Sequence, residues 1–226
     1  MWLQIRSLAA LLVGTFFMMV GTGLGNMLVP LRADAEGWSS TTIAWIGTSY
    51  AVAFTAGCLL TPIFVRRVGH IRVFAVLQTL LAASLLLLAL VIHPIAWGLF
   101  RAIWGLSLVG GYMVIESWLN ERVNNANRGT VFAAYMIVSM SGVAMGQFIV
   151  PLGDIKTDAL FMAGALAFGA AMLPIALSIA PAPQPLTQVM IDARALFRRS
   201  PAAVVGSFLA GVIFGNWIYF GPLYGK

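Results

Sequence analysis

Long apolar runs, parted by short polar breaks, set the pattern of this chain. Seven stretches, near residues 8–30, 42–65, 73–92, 94–118, 129–151, 158–180 and 201–222, carry almost unbroken hydrophobic side chains. As α-helix, at about 1.5 Å per residue, each is long enough to cross roughly 30 Å of hydrocarbon. The runs are apolar on all sides, whereas a membrane barrel needs shorter strands of alternating polarity. The pattern predicts an all-α fold, a polytopic membrane helix bundle. Residue 6 is an arginine ahead of the first run, as in a signal peptide. That run is too long for such a segment and has no small-x-small cleavage site before Pro30, so it reads as an uncleaved first helix.

The pattern is violated most sharply in the fourth run. Residues 99–122 could cross a bilayer, yet Arg101 stands well inside the apolar stretch. An unpartnered charge near the middle of a membrane helix costs on the order of 2.5–3.5 kcal/mol. Arg101 therefore needs a polar, partly wet face, or else a structural role tied to neighbouring carbonyls and amides. Gly105, Leu108 and Tyr112 share its stripe at three- and four-residue spacing. Counting helix rise from the loops puts Asn26, Tyr50, Gln147 and Asn216 at about the same depth. Glu116 lies about 22 Å further along the helix, too far to neutralise Arg101 directly. With no carboxylate at that depth, the expected counter-charge is a substrate, a second bundle, or both. An anionic solute suits a guanidinium that can bind two oxygens at once. Trp104 is a further candidate for the same pathway.

Composition agrees with the pattern: 61% hydrophobic and 9% charged residues, against about 25% charged in soluble domains. The net charge of +6 has a direction. With the amino terminus in the cytoplasm, Arg6, Arg66, Arg67, Arg72, Arg122, Arg128, Arg194, Arg198 and Arg199 all fall inside. Only Arg32 and Lys156 fall in the outer loops, beside Asp34, Glu36, Asp154 and Asp158. The basic residues are scattered over separate short loops, so nucleic-acid binding has no support. The single cysteine, Cys58, lies within the second run and reads as a packing residue. No metal or cofactor is expected.

Finer features punctuate the spans. Residues 38–42, Trp-Ser-Ser-Thr-Thr, read as an interfacial aromatic followed by hydroxyl caps for the second helix. That helix is expected to break at Pro62. The short turn at residues 66–72 (Arg66, Arg67, Val68, Gly69, His70, Ile71, Arg72) should make the second and third helices antiparallel neighbours. His70 and His93 sit at helix ends and read as solvated. Gly142 and Gly146 fit a small-xxx-small packing face. After residue 180 a proline-rich exit leads into residues 186–199, which read equally as a short amphipathic helix or a solvated linker. Glycine-to-proline spacing is the same in the first run (Gly14 to Pro30) and the seventh (Gly206 to Pro222), and Tyr50 to Gly57 echoes Tyr135 to Gly142. Repeats of this kind build many transporters. Residues 1–180 thus form a six-helix bundle, 181–200 a cytoplasmic linker, and 201–226 a seventh spanning helix that opens an incomplete second bundle.

These residues resemble the major facilitator superfamily. Arg101 and Gly105 match the Arg-x-x-x-Gly signature of its fourth helix, and the turn at 66–72 sits where that family has its loop between helices two and three. Residues 116–122 (Glu-Ser-Trp-Leu-Asn-Glu-Arg) and 127–129 (Asn-Arg-Gly) look like the YcaD-type bacterial members. The resemblance covers the whole chain but only about half of the twelve-helix family. It implies a six-helix N-terminal bundle with a 3+3 inverted repeat, in which helices one and four line the cavity. It also implies an inner gate or loop at Arg66, Arg67, Gly69, Arg72 and Glu116. Arg66 stands where the loop motif normally has an acid, and Glu116 could supply that charge or pair with a loop arginine. Gln147 follows Gly146 where drug/proton antiporters usually have proline.

The function implied is secondary active transport of a small solute by alternating access, ion- or proton-coupled, in a bacterial inner membrane. A truncated or half-size carrier, inactive without a second six-helix half, is the alternative. An intramembrane enzyme would need a nucleophile–base pair or paired carboxylates at membrane depth. The serines at 139 and 141 have no histidine at matching depth.

Overall fold

The computed structural model describes residues 2–177 and 193–224. The helices are α1 (Trp2–Ala35), α2 (Ser40–Val68), α3 (His70–Leu90), α4 (Pro94–Arg122), α5 (Arg128–Ile149), α6 (Ala159–Ala176), α7 (Ala193–Arg199) and α8 (Pro201–Tyr224), with a 3₁₀ turn at Val150–Leu152. The first six are long and apolar enough to cross a membrane. α8 is 24 residues long, and its stretch Pro201–Ile213 is apolar. Most of the expected linker, including the first half of the amphipathic stretch, lies outside the described residues.

Neither Pro30 nor Pro62 ends its helix, so the break expected at Pro62 is not there. A proline removes one backbone donor, and a membrane helix packed by neighbours absorbs that loss. Pro94 stands in the first turn of α4, where the donor is not needed. At the start of α2, the Ser39 hydroxyl accepts from the Thr42 amide at 3.2 Å, the cap read from the sequence.

The bundle is two triplets, each gathered on a hub. α4 carries α2 and α3; α1 carries α5 and α6; α3 against α6 closes the set. Exchanging α1 with α4, α2 with α5 and α3 with α6 reproduces the pattern, the mark of a 3+3 inverted repeat. α2 lies mainly along α4, and meets α3 only near their shared turn. That turn is a single residue: Gly69, at φ +85°, ends α2 and starts α3. Only glycine adopts this backbone without strain.

Glycines let the hubs close. A Cβ at Gly146 would strike the Val20 carbonyl, and one at Gly142 would come 2.7 Å from the Phe16 carbonyl, so both glycines of that motif seat α5 on α1. On the other hub, a Cβ at Gly105 would strike the Tyr50 carbonyl of α2. Between α4 and α6 run aromatic pairs at seven-residue spacing. Trp97 packs edge-on against Phe161 at 6.3 Å and Trp104 against Phe168 at 5.7 Å.

Candidate functional site

Arg101 lies two turns into α4, on the face turned towards α1 and α2. Its side chain is 1% exposed. Nη2 donates to Asn26 Oδ1 of α1 at 3.2 Å. The guanidinium carbon stands 4.5 Å from the Tyr50 ring centroid and 4.6 Å from that of Trp104. Each desolvated contact of this kind is worth about 2 kcal/mol or more, and a hydrogen bond from a charged donor about 1.5–3 kcal/mol. Together these offset much of the cost of holding a cation at membrane depth.

The surrounding packing fixes every wall of the site. A Cβ at Gly25 would overlap the Trp104 indole, so glycine there makes room for the ring's edge against α1 while Phe168 braces it from α6. Gly105 admits the Tyr50 backbone, and the Ser49 hydroxyl ties α2 to α4 by donating to the Gly98 carbonyl at 2.8 Å. The Arg-x-x-x-Gly spacing thus has a local cause. Arginine supplies the charge, and the glycine one turn on lets the tyrosine reach it. Asn26 and Tyr50 are half-buried, the least enclosed members of the cluster.

The other candidates fall at different places. Tyr112 is half-buried on the same face of α4, and its hydroxyl reaches Met19 Sδ of α1 at 3.1 Å. Gln147 is exposed on α5 and is not part of the arginine cluster. Arg66, Arg67 and Arg72 are exposed around Gly69, at the basic end of the bundle. Glu116 is at that end too. Its carboxylate accepts from the Tyr135 hydroxyl of α5 at 3.1 Å, in place of the loop arginine expected. The depth of Asn216 cannot be joined to this account, because its side chain lies outside the described residues.

Two polar residues depart from the sequence reading. His70 is 1% exposed, with Nε2 3.2 Å from Ser117 Oγ, where a solvated histidine was expected. The one-residue turn brings the start of α3 straight against α4 and leaves it no room in solvent. Arg32, expected in a loop, belongs to α1 and is 5% exposed. Its Nε meets Glu36 Oε1 at 2.6 Å and its Nη1 donates to the Ile155 carbonyl at 3.1 Å. The Arg32 and Glu36 spacing of four was the legible signal; the reach to the loop before α6 had none.

Comparison with known proteins matches this geometry to one family. The relatives include the "Uncharacterized MFS-type transporter YcaD" of Escherichia coli O139:H28 (strain E24377A / ETEC), 26% identical over 97% of this chain and 58% of that protein. The protein of the same name from Salmonella newport (strain SL254) is 25% identical over 98% of this chain and 58% of its own length. The chain thus spans 58% of the length of these relatives. Among solved structures, the nucleoside transporter NupG (D323A mutant) superposes with a TM-score of 0.81 at 21% identity, over 95% of this chain and 57% of that one. That likeness shows a shared fold. The model of the Major Facilitator Superfamily matches residues 11–226, and this chain, a multi-pass membrane protein, belongs to that family.

Proposed function

We propose that this chain is the substrate-binding first bundle of a secondary active carrier, together with the opening helix of a second bundle, working by alternating access. In this reading the amino terminus is cytoplasmic, the membrane is a bacterial inner membrane, and the solute is small and bears a carboxylate or similar oxyanion. The observation that carries it is Arg101. A guanidinium held at 1% exposure by an amide and two aromatic faces is fixed in orientation, and its fork geometry suits two oxygens. On this reading Asn26 and Tyr50 line the solute's entry, Trp104 forms the floor, Tyr112 continues the passage along α4, and Gln147 approaches from α5. Arg66, Arg67, Gly69 and Arg72 belong to the gate at the basic end.

The test is binding of radiolabelled carboxylates and neutral nucleosides to the purified chain in lipid nanodiscs. Uptake is measured in a chimera joining residues 1–226 to the part of the E. coli YcaD protein that lies beyond its match to this chain. Arg101→Lys keeps the charge but loses the fork. It is expected to weaken carboxylate binding at least about tenfold, since the lost contact exceeds about 1.4 kcal/mol. Equal binding by parent and Arg101→Lys, or binding of neutral solutes alone, sinks the reading.

A second reading, in which the chain is a half-size carrier that moves nothing without a second bundle, is favoured by its 58% coverage of the relatives. Transport by the chain alone in proteoliposomes would exclude it.

A further inference from the structure

We infer that Glu116 is the proton-binding carboxylate of this carrier, held at the basic end by Tyr135. The inference rests on the carrier reading above and names its coupling ion. Ionisable groups within membrane spans are functional by default, because their insertion is costly. Of the seven acidic residues, Asp34, Glu36, Asp154 and Asp158 stand at the opposite end of the bundle, around the loops that follow α1 and α5; Glu121 ends α4 beside Arg122, and Asp192 lies outside the described residues. Glu116 lies six residues inside the end of α4 at Arg122, about 9 Å of helix from it. Its side chain is exposed on the surface of the bundle.

The pair sits where motion would be felt. α4 and α5 meet only briefly, and the Tyr135 hydroxyl to Glu116 Oε1 bond, 3.1 Å long, bridges them there. Tyr135 itself is buried. Among the described residues, the titratable groups that face Glu116 are Tyr112, one turn back on α4, and Tyr135 from α5. Arg128 donates to Asn120, whose amide donates to the backbone carbonyl of Glu116 at 3.0 Å, so this chain of bonds does not touch the carboxylate. Met19 is what α1 turns to Tyr112 here, and it is uncharged. A proton from water adds to the carboxylate and removes its negative charge. Tyr135 then faces a neutral acid, which accepts a weaker hydrogen bond than the anion. Arg101 and Tyr112 share the face of α4 that ends at Glu116, so one rigid element joins the solute site to the proton site.

The experiment needs no solute. The chain is reconstituted in proteoliposomes on a solid-supported membrane and given rapid pH jumps, and the transient current of protons entering the membrane field is recorded. The parent is expected to give a transient that Glu116→Gln removes, while Tyr135→Phe keeps its size and moves the pH of its midpoint. Arg101→Lys is expected to leave the transient whole, so failure here and failure of the solute reading are distinguishable. A transient undiminished in Glu116→Gln, or a midpoint unmoved in Tyr135→Phe, overturns the inference.

Discussion

At the scale of single residues, the two arginines buried among the described residues do opposite things with the same chemistry. Arg101 donates from Nη2 to Asn26 and turns its flat faces to the rings of Tyr50 and Trp104. Arg32 turns its donors to a carboxylate four residues on and to a backbone carbonyl across the bundle. The second arrangement fastens the end of α1 to the loop before α6. Arg32→Ala should therefore lower stability by about 1.5–3 kcal/mol, the range for hydrogen bonds to charged groups, without touching solute binding. Thermal unfolding in mild detergent, read beside carboxylate binding, checks this. An unchanged melting temperature, or a loss of binding in the folded variant, would count against it.

At the scale of helices, glycine contacts decide how near the hubs come to their partners. Gly146→Ala drives a methyl group into the Val20 carbonyl of α1, which is backbone and cannot swing away. The cost should be about 1–3 kcal/mol, the usual range for overpacking, seen as a lower unfolding midpoint in a denaturing detergent titration. The small-xxx-small spacing made this contact legible beforehand, and the depth count brought Asn26, Tyr50 and Arg101 together before any coordinates. Six of the seven expected spans were legible too, because length and hydropathy decide them. Which face of each helix looks inward was not. Lipid and protein interior are equally apolar, so a helix hydrophobic all round gives no stripe to read. His70 was misplaced for that reason, and Glu116 was given a loop arginine when its partner was Tyr135 from the adjoining helix. The capping at Ser39 succeeded because caps depend on local chemistry alone.

At the scale of the molecule, the first and last long helices make a controlled comparison. A Cβ at Gly14 would lie 2.9 Å from the Ala171 carbonyl, whereas one at Gly206, its repeat counterpart, meets nothing within 4 Å. In this chain Gly14→Ala should destabilise the bundle, and Gly206→Ala should be neutral or favourable by up to about 1 kcal/mol through helix propensity. In the YcaD chimera, where a second bundle is supplied to cover α8, Gly206→Ala is expected to become destabilising as well. Equal melting shifts for Gly206→Ala in chain and chimera would argue that α8 gains no neighbours of the kind α1 has.

The hub arrangement also fixes an order of events at the ribosome. α1 is made first, yet its main partners, α5 and α6, begin at Arg128 and Ala159. At about 5–20 residues per second, α1 must wait in the bilayer for on the order of ten seconds before either arrives. Its buried hydroxyls are suited to the delay: Thr15 and Thr22 each donate to the carbonyl four residues earlier, at 2.8 Å, and ask nothing of a neighbour. α2, α3 and α4, in contrast, emerge in succession and can assemble as they are threaded in, so the nascent protein builds its middle before it closes around its beginning.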